Sequence, residues 1–384
     1  MSTRKQAAPP RPIAALSDGQ RGAQTGVPAP IPCPATLASA VESWFRHAAR
    51  PLPWRTTPRD PWASLVSEVM AQQTQIARVL ERFPEFLARF PTPAALAAAD
   101  EQVVLAMWSG MGYYRRARLL HAAARAIVAD HAGRVPESID ALRGLPGIGR
   151  YTAGAIASIS LGRPEAIVDG NVARVLLRVH GHEGRAGDRA TDAWCWARAG
   201  DLVALARDPA AFNEGLMELG AIVCTPRAPR CDQCPLADVC IARRENSQDR
   251  IPAPNVRRQT PIVHALVLIA RNSGGQVLVE QRPVTPRGGG MWAGMWQLPT
   301  LEAPTAPTAA ARLAWAHGPT GRAVLALKHQ TSHRLFHFEV RRAECDAARA
   351  KALGQHADRK WIALADAARL PMSNPQRRML RLAE

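Results

Sequence analysis

Four cysteines, Cys224, Cys231, Cys234 and Cys240, fall within seventeen residues in the spacing C-x6-C-x2-C-x5-C. The N-terminal stretch Met1–Ile31 is rich in Pro, Ala, Gly and Gln and lacks a continuous apolar core. It reads as a disordered extension and not as a signal peptide. The thiols are therefore expected to stay reduced, and a tight cluster of reduced thiols argues for metal ligation over disulfides. Thiolates are soft ligands suited to zinc or to iron–sulfur clusters. Structural zinc sites pair two short knuckles, and only Cys231/Cys234 has that spacing. One compact pair with two outlying cysteines suits the wider reach of a four-iron cube, with zinc as the alternative. Arg227 and Arg230 lie in the first inter-cysteine loop, which a pinned metal would press against a phosphate backbone. Cys33, Cys195 and Cys345 are scattered and read as incidental.

A chain of 384 residues is long enough for two domains with separate cores. Apolar runs such as Ile262–Ala270 are too short to span a bilayer, so a soluble cytoplasmic protein, monomeric and nucleoid-associated, is expected. The formal net charge is +17, and nearly all the cations are arginine. Such an excess favours a polyanion, because each neutralised phosphate releases counterions and arginine forks onto its oxygens. Codon bias with a merely basic surface is the plainer explanation, and charge alone does not decide between them.

From Thr36 to about Arg244 apolar residues recur at i, i+3 and i+4. The pattern predicts helices over Val41–Arg50, Trp62–Phe83, Tyr114–Ala132, Tyr151–Leu161, Asn171–His180, Asp192–Arg207 and Phe212–Val223, with shorter ones between. Pro84, Pro91, Gly110, Gly112, Pro136, Pro146 and Gly162 are expected as breakers. Residues 246–261 are polar and aperiodic and read as a linker. Ile262–Ala270, Gly274-Gly275 and Val277–Glu280 then predict a β-hairpin, with further strands at Val324–Lys328, Arg334–Val340 and Lys360–Ile362. The expected organisation is an extension over 1–35, a helical domain over 36–245, the linker, and an α+β domain over 262–384.

Leu145-Pro146-Gly147-Ile148-Gly149 joins two helical stretches. Its glycines permit a tight turn and a close approach, and the next helix offers free N–H groups suited to a phosphate; an ordinary helix–helix loop would look the same. Asp169 precedes the Asn171 helix and is expected there first as an N-cap. Glu68 sits next to the apolar positions Leu65 and Val69, where partial burial would raise its pKa as a general acid requires. A boundary glutamate in a helical salt bridge is the simpler reading.

Taken together, LPGIGR, the VDGNVARVL segment and the cysteine spacing resemble the helix–hairpin–helix DNA glycosylases of the endonuclease III superfamily. SEVMAQQTQ (67–75), GMGYYRRARLL (110–120) and the Phe212–Cys240 stretch are similar to its MutY-type adenine glycosylase branch. The resemblance runs from about residue 38 to 243 and continues more weakly to the C-terminus. It implies a mostly α helix–hairpin–helix domain with a [4Fe–4S] cluster on the four cysteines, followed by an α+β Nudix-like domain. The implied substrate is double-stranded DNA carrying adenine opposite 8-oxoguanine or guanine. On this resemblance Glu68 protonates the adenine ring, Asp169 stabilises an oxocarbenium-like sugar, and Tyr151 and Asn171 support the carboxylates. Arg55 and Glu214 line the base pocket, and Gln73 and Tyr113 wedge into the stack. Leu145, Gly147 and Gly149 hold a phosphate through backbone amides. Ser332, with His333 beside it, meets the oxidised guanine; the chain departs from the branch at Thr331, where an aromatic residue is common.

Relatives that also nick the strand carry a lysine at position 151, where this chain has Tyr151, and no lysine occurs between Lys5 and Lys328. Lysine-dependent strand scission in the helical domain is not expected. The stretch Thr300–Ala316 that would hold a Nudix metal offers only Glu302, so pyrophosphatase activity is not expected either. A glycosylase for thymine opposite guanine and a non-catalytic iron–sulfur damage sensor are the competing readings.

Overall fold

The computed structural model describes residues 33–254, 260–284 and 291–383. The expected extension over 1–35 lies almost wholly outside them.

Among the described residues up to Arg244 the regular elements are all helices: α1 (Pro34–Ala48), α2 (Pro61–Ala71), α3 (Ile76–Arg89), α4 (Pro93–Ala97), α5 (Glu101–Met107), α6 (Arg115–Asp130) and α7 (Ile139–Gly144) come first. They are followed by α8 (Arg150–Ala155, ending in a π-turn over Ile156–Ser160), α9 (Gly170–Val179), α10 (Arg189–Val203), α11 (Pro209–Ile222) and α12 (Ile241–Arg244). Starts are capped as the local sequence dictates. Asp60 accepts from Trp62 N at 2.8 Å ahead of α2, and Ser138 accepts from Ala141 N at 3.2 Å ahead of α7.

The apolar stripes bury into two separate cores. One is built by α2–α8 around Leu65, Met70, Phe86 and Trp108. The other is built by α1 and α9–α12 around Val41, Leu176, Phe212 and Leu219. The seam between them becomes the cleft described below.

Two expectations need correction. Trp62–Phe83 is not one helix: α2 ends at Ala71, and Gln73 takes a left-handed φ of 54° before α3 begins. No proline or glycine marks the break. The buried Arg116 guanidinium ends α2 instead, taking the carbonyls of Val69 and Met70 that a longer helix would have bonded itself. Pro84 is no breaker and lies inside α3. The carbonyl it deprives of a donor belongs to Leu80, which is exposed, so the loss is tolerated.

The second half is a mixed sheet with seven strands among the described residues: β1 (Ile262–Asn272), β2 (Val277–Gln281), β3 (Trp296–Gln297), β4 (Thr300–Ala303), β5 (Arg322–Gln330), β6 (Leu335–Cys345) and β7 (Arg359–Ile362). The predicted hairpin forms β1 and β2, turning at Gly275 with φ 74°. β1 lies at the centre, parallel to β6 from Ile262↔Leu335 to Asn272↔Cys345 and antiparallel to β4. Buried on both faces over Ala265–Ala270, it supplies the core.

Residues 247–254, within the expected linker, lie against the helical half. Arg178, almost fully buried, donates to the carbonyls of Gln248 and Ile251, and Ala253 N donates to Gly184 O at 3.2 Å. The two halves also touch directly: Met295 is buried in the α2–α8 core, and Tyr114 Oη donates to Met372 O at 3.2 Å.

Where α11 crosses α9 the backbones approach closely at Gly220. A methyl group there would lie 2.6 Å from Asn171 Cβ and 2.8 Å from its carbonyl oxygen. Gly220→Ala is therefore expected to destabilise the helical half by about 1–3 kcal/mol in denaturant unfolding, as overpacking does. An unchanged midpoint would mean that the crossing is loose.

Candidate active site and iron–sulfur loop

The seam between the two helical cores opens into a cleft of about 720 Å³. Glu68 comes to it from α2 and Tyr151 from α8; Asp169 and Asn171 come from the start of α9. Glu68 as a residue keeps an edge on the cleft, but its carboxyl is enclosed. Burial pushes its pKa up to about 7, the nearby Asp169 and Glu214 charges push the same way, and the Tyr151 hydroxyl partly offsets them. That hydroxyl also lies 3.3 Å from Met217 Sδ, and burial raises its own pKa well above the usual range.

Asp169 is the N-cap of α9 and faces the cleft at the same time. Its Oδ1 accepts from Asn171 N at 2.8 Å and Val172 N at 2.7 Å, and its Oδ2 accepts from Asn171 Nδ2 at 3.0 Å. Burial raises its pKa, and these three donors work against the rise. Two carboxyl groups thus share one cleft in different surroundings: Glu68 has lost water with little in return, while Asp169 has three N–H groups in its place. Asn171 is held in turn by Arg174, whose Nη2 donates to Asn171 Oδ1 at 2.8 Å and whose Nε donates to Cys224 O at 2.8 Å.

Of the other residues singled out from sequence, Arg55, Gln73, Gly147 and Gly149 line this cleft. Gly147 turns with φ 78°, and Gly149 caps α8 in extended backbone. Leu145 does not fit its expected part. It is buried, and its N–H already donates to Leu142 O at 3.2 Å, so no amide is left for a phosphate. Glu214 is also displaced from the lining. It lies buried behind the wall, paired with Arg55 at 2.8 Å and Arg59 at 2.5 Å. Glu218, one turn on in α11, reaches the cleft instead.

Glu218 accepts from Arg50 Nε at 2.5 Å and Arg55 Nη2 at 3.1 Å. Burial raises the Glu218 pKa, but these arginines prevail and hold it below the ordinary value. Arg50, Glu218, Arg55, Glu214 and Arg59 form an alternating ladder that fixes the pocket wall. Trp54 and Met217, also on the lining, escaped the sequence reading. For Glu218 a signal existed: two glutamates at i and i+4 in an otherwise apolar helix need partners when buried.

Tyr113, Ser332 and His333 lie elsewhere, around a second cavity of about 610 Å³ between the halves, with Trp292 and His329. Tyr113 has a left-handed φ of 46°, and its hydroxyl meets that of Ser332. Thr331 closes the β5–β6 turn: its Oγ1 donates to Arg334 O at 2.8 Å and accepts from Arg334 N at 3.0 Å.

The four cysteines line one common cavity between the end of α11 and α12, together with Arg178, Arg243 and Gln248. Among the described residues no three such ligands converge as a single-ion site. Burial pushes the Cys234 thiol up to about 12 and raises that of Cys240. Such enclosed sulfurs carry thiolate charge only against a compensating cation. Arg178 Nη1 lies 3.4 Å from Cys224 Sγ. Four soft donors around one cavity, with a guanidinium beside them, fit an iron–sulfur group.

Comparison with known proteins agrees with this geometry. Residues 66–199 match the HhH-GPD superfamily base excision DNA repair protein family. Residues 224–240 match the iron–sulfur binding domain of endonuclease III, and 266–382 match the NUDIX domain. The adenine DNA glycosylase of Schizosaccharomyces pombe is 32% identical over 317 residues, 67% of this chain and 68% of that one. This chain belongs to the adenine DNA glycosylase family.

The human member of the family is 42% identical over 229 residues, 58% of this chain but only 42% of its own length. The chain thus spans under half of that relative. A thermostable thymine-DNA glycosylase of known structure superposes with a TM-score of 0.50 at 27% identity, over 97% of that chain and 55% of this one. Family membership carries an iron–sulfur group at Cys224–Cys240 and a Nudix-like fold for the sheet half. Among the described residues no helix is long and apolar enough to cross a membrane.

The raised Glu68 pKa has a consequence for stability. The folded state holds a proton on Glu68 up to about pH 7, whereas the unfolded chain releases it near 4.5. Its contribution is complete below the unfolded value and is lost as pH rises through the folded one. Glu68→Gln is therefore expected to raise the unfolding midpoint at pH 8 and to leave it nearly unchanged at pH 4. Equal midpoint shifts at both pH values would show that Glu68 ionises freely.

Proposed function

We propose that the chain is a monofunctional adenine DNA glycosylase of base excision repair, hydrolysing the N-glycosidic bond of adenine opposite 8-oxoguanine or guanine in duplex DNA. The observation that carries the proposal is the pair of carboxyl groups at one cleft, Glu68 desolvated with little in return and Asp169 held by three N–H donors. Glu68, held protonated near neutral pH, donates to a ring nitrogen of the extruded adenine and makes it a better leaving group. Asp169, as the carboxylate that the N–H groups of Asn171 and Val172 favour against burial, stabilises the positive charge that develops on the sugar. Water then completes the hydrolysis.

Arg55, fixed by the glutamate ladder, forms the wall against which the base rests. The N–H groups of Gly147 and Gly149, which make no backbone hydrogen bond among the described residues, donate to a backbone phosphate. Tyr151 stands where a Schiff-base lysine would be needed for strand scission, so cleavage stops at the abasic site.

Cys224, Cys231, Cys234 and Cys240 would hold a [4Fe–4S] cluster. When bound, such a cluster supplies a soft, delocalised positive centre that binds the four thiolates and orders the loop. In this reading Gln73 and Tyr113, both exposed and in left-handed backbone, enter the base stack, and Ser332 and His333 meet the opposing base. Residues 262–384 act as the lesion-reading domain, joined through 246–261 to the glycosylase domain of 36–245. The thymine-DNA glycosylase is 27% identical to this chain, against 42% for the human adenine DNA glycosylase, which disfavours a thymine-specific enzyme. Glu280, the buried acid of β2, is tied to Arg359 at 3.0 Å, which disfavours a metal-dependent nucleotide hydrolase.

Single-turnover excision on duplexes with A:8-oxoguanine, A:G and T:G tests the proposal, and faster release of thymine would sink it. Asp169→Asn is expected to cut adenine release by about 10²-fold or more while sparing duplex binding. The wild-type rate should fall as pH rises through about 7, where Glu68 loses its proton, and Glu68→Gln should remove that limb. A rate that stays level across this range would assign the proton to another group. Brown, visibly absorbing protein is expected; colourless protein binding zinc would refute the cluster.

A further inference from the structure

Arg116, on the first turn of α6, is buried yet pairs with no carboxylate among the described residues. Its Nη1 donates to Val69 O at 2.8 Å, to Met70 O at 2.9 Å and to Gln72 O. Its Nη2 donates to Thr74 Oγ1 at 2.9 Å, Met111 O at 3.2 Å and Gly112 O at 3.3 Å. The guanidinium carbon also lies 5.5 Å from the ring centroids of both Trp108 and Tyr113. Burial lowers its pKa to about 10, which leaves it charged at neutral pH.

These acceptors belong to two separate segments. Val69, Met70, Gln72 and Thr74 are the end of α2 and the turn after it, so they carry Gln73 and follow Glu68 directly. Met111 and Gly112 belong to the loop that leads into Tyr113 and Tyr114, and both tyrosines reach across to the sheet half, at Ser332 and at Met372 O. A buried charge compensated by carbonyl and hydroxyl oxygens and two ring faces, with no carboxylate, cannot lose several of those oxygens cheaply. Neither segment can therefore shift without drawing the guanidinium, and with it the other segment.

We propose that Arg116 is a positioning residue that transmits contact at the opposite-base side, through the Tyr113 loop, to the end of α2 and so to the setting of Glu68. The inference rests on the reading above in which the Ser332 side meets the base opposite adenine. A planar fork suits the task, because one rigid group can reach both segments at once, which an ammonium cannot.

The test compares single-turnover adenine excision opposite 8-oxoguanine with excision opposite guanine, in full-length holoprotein. Arg116→Lys is expected to lower the ratio of the two rates by about five-fold or more, the size of a typical coupling between sites. Thr74→Val removes one acceptor of Arg116 together with the Thr74 Oγ1 bond to Met111 O at 3.3 Å that joins the same two segments, keeps the arginine and should lower the ratio less in the same direction. Visible absorbance and thermal midpoint check the fold of each variant; if Arg116→Lys does not fold, the Thr74→Val ratio decides. Rates that fall by the same factor on both duplexes, with the ratio intact, would reduce Arg116 to a structural role and overturn the inference. A wild-type protein with no preference between the duplexes would instead overturn the functional reading on which it rests.

Discussion

The hydrogen bonds at the start of α9 join the two chemical centres of the helical half. Asp169 satisfies backbone N–H groups that the helix leaves open, and this holds its carboxylate towards the cleft. Asn171 locks the second oxygen, Arg174 locks Asn171, and the same arginine reaches the Cys224 carbonyl at the edge of the cysteine cavity. Gly220 lets α11 approach closely enough for Arg174 to bond its carbonyl at 2.9 Å. The cap of α9 and the placement of the Asp169 carboxylate at the cleft are therefore one arrangement seen from two sides. A helix terminus that needs an acceptor, placed at the seam of two cores, fixes a carboxylate where a charge can be used.

Electrostatics across the cleft follows from where water is removed and what replaces it. Around Glu68 the replacement is poor, and the carboxyl prefers its proton. Around Asp169 three N–H groups oppose that preference. On the far wall, Glu214 and Glu218 are buried with three arginines and stay paired. Four carboxyl groups in one small region thus meet different surroundings because their neighbours differ.

Much of the fold was legible from residue spacing. The helical half, the hairpin at Gly274-Gly275 and the later strands all stand where periodicity predicted them. The failures are instructive. The periodicity of α2 runs on into α3 without interruption, and the break at Gln73 comes from Arg116, some forty residues away in sequence, taking the helix's last carbonyls. Pro84 breaks nothing because the carbonyl it deprives belongs to an exposed residue. Glu214 and Glu218 sit one turn apart, and only the packing of the Arg50–Arg59 segment decides which of them reaches the cleft.

By itself the sequence determined the chemical inventory. The cysteine spacing limits what can be bound, and the Gly147–Gly149 turn admits a close ligand. Those are local properties, set by residue type and by separations of a few positions. What only the tertiary structure decided is how distant groups share an environment. Burial of the Glu68 carboxyl against Tyr151, the meeting of Tyr113 with Ser332, and the gathering of two segments on Arg116 all depend on long-range packing. A pKa or a coupling belongs to such an environment, because desolvation and hydrogen bonding act through space and not along the chain.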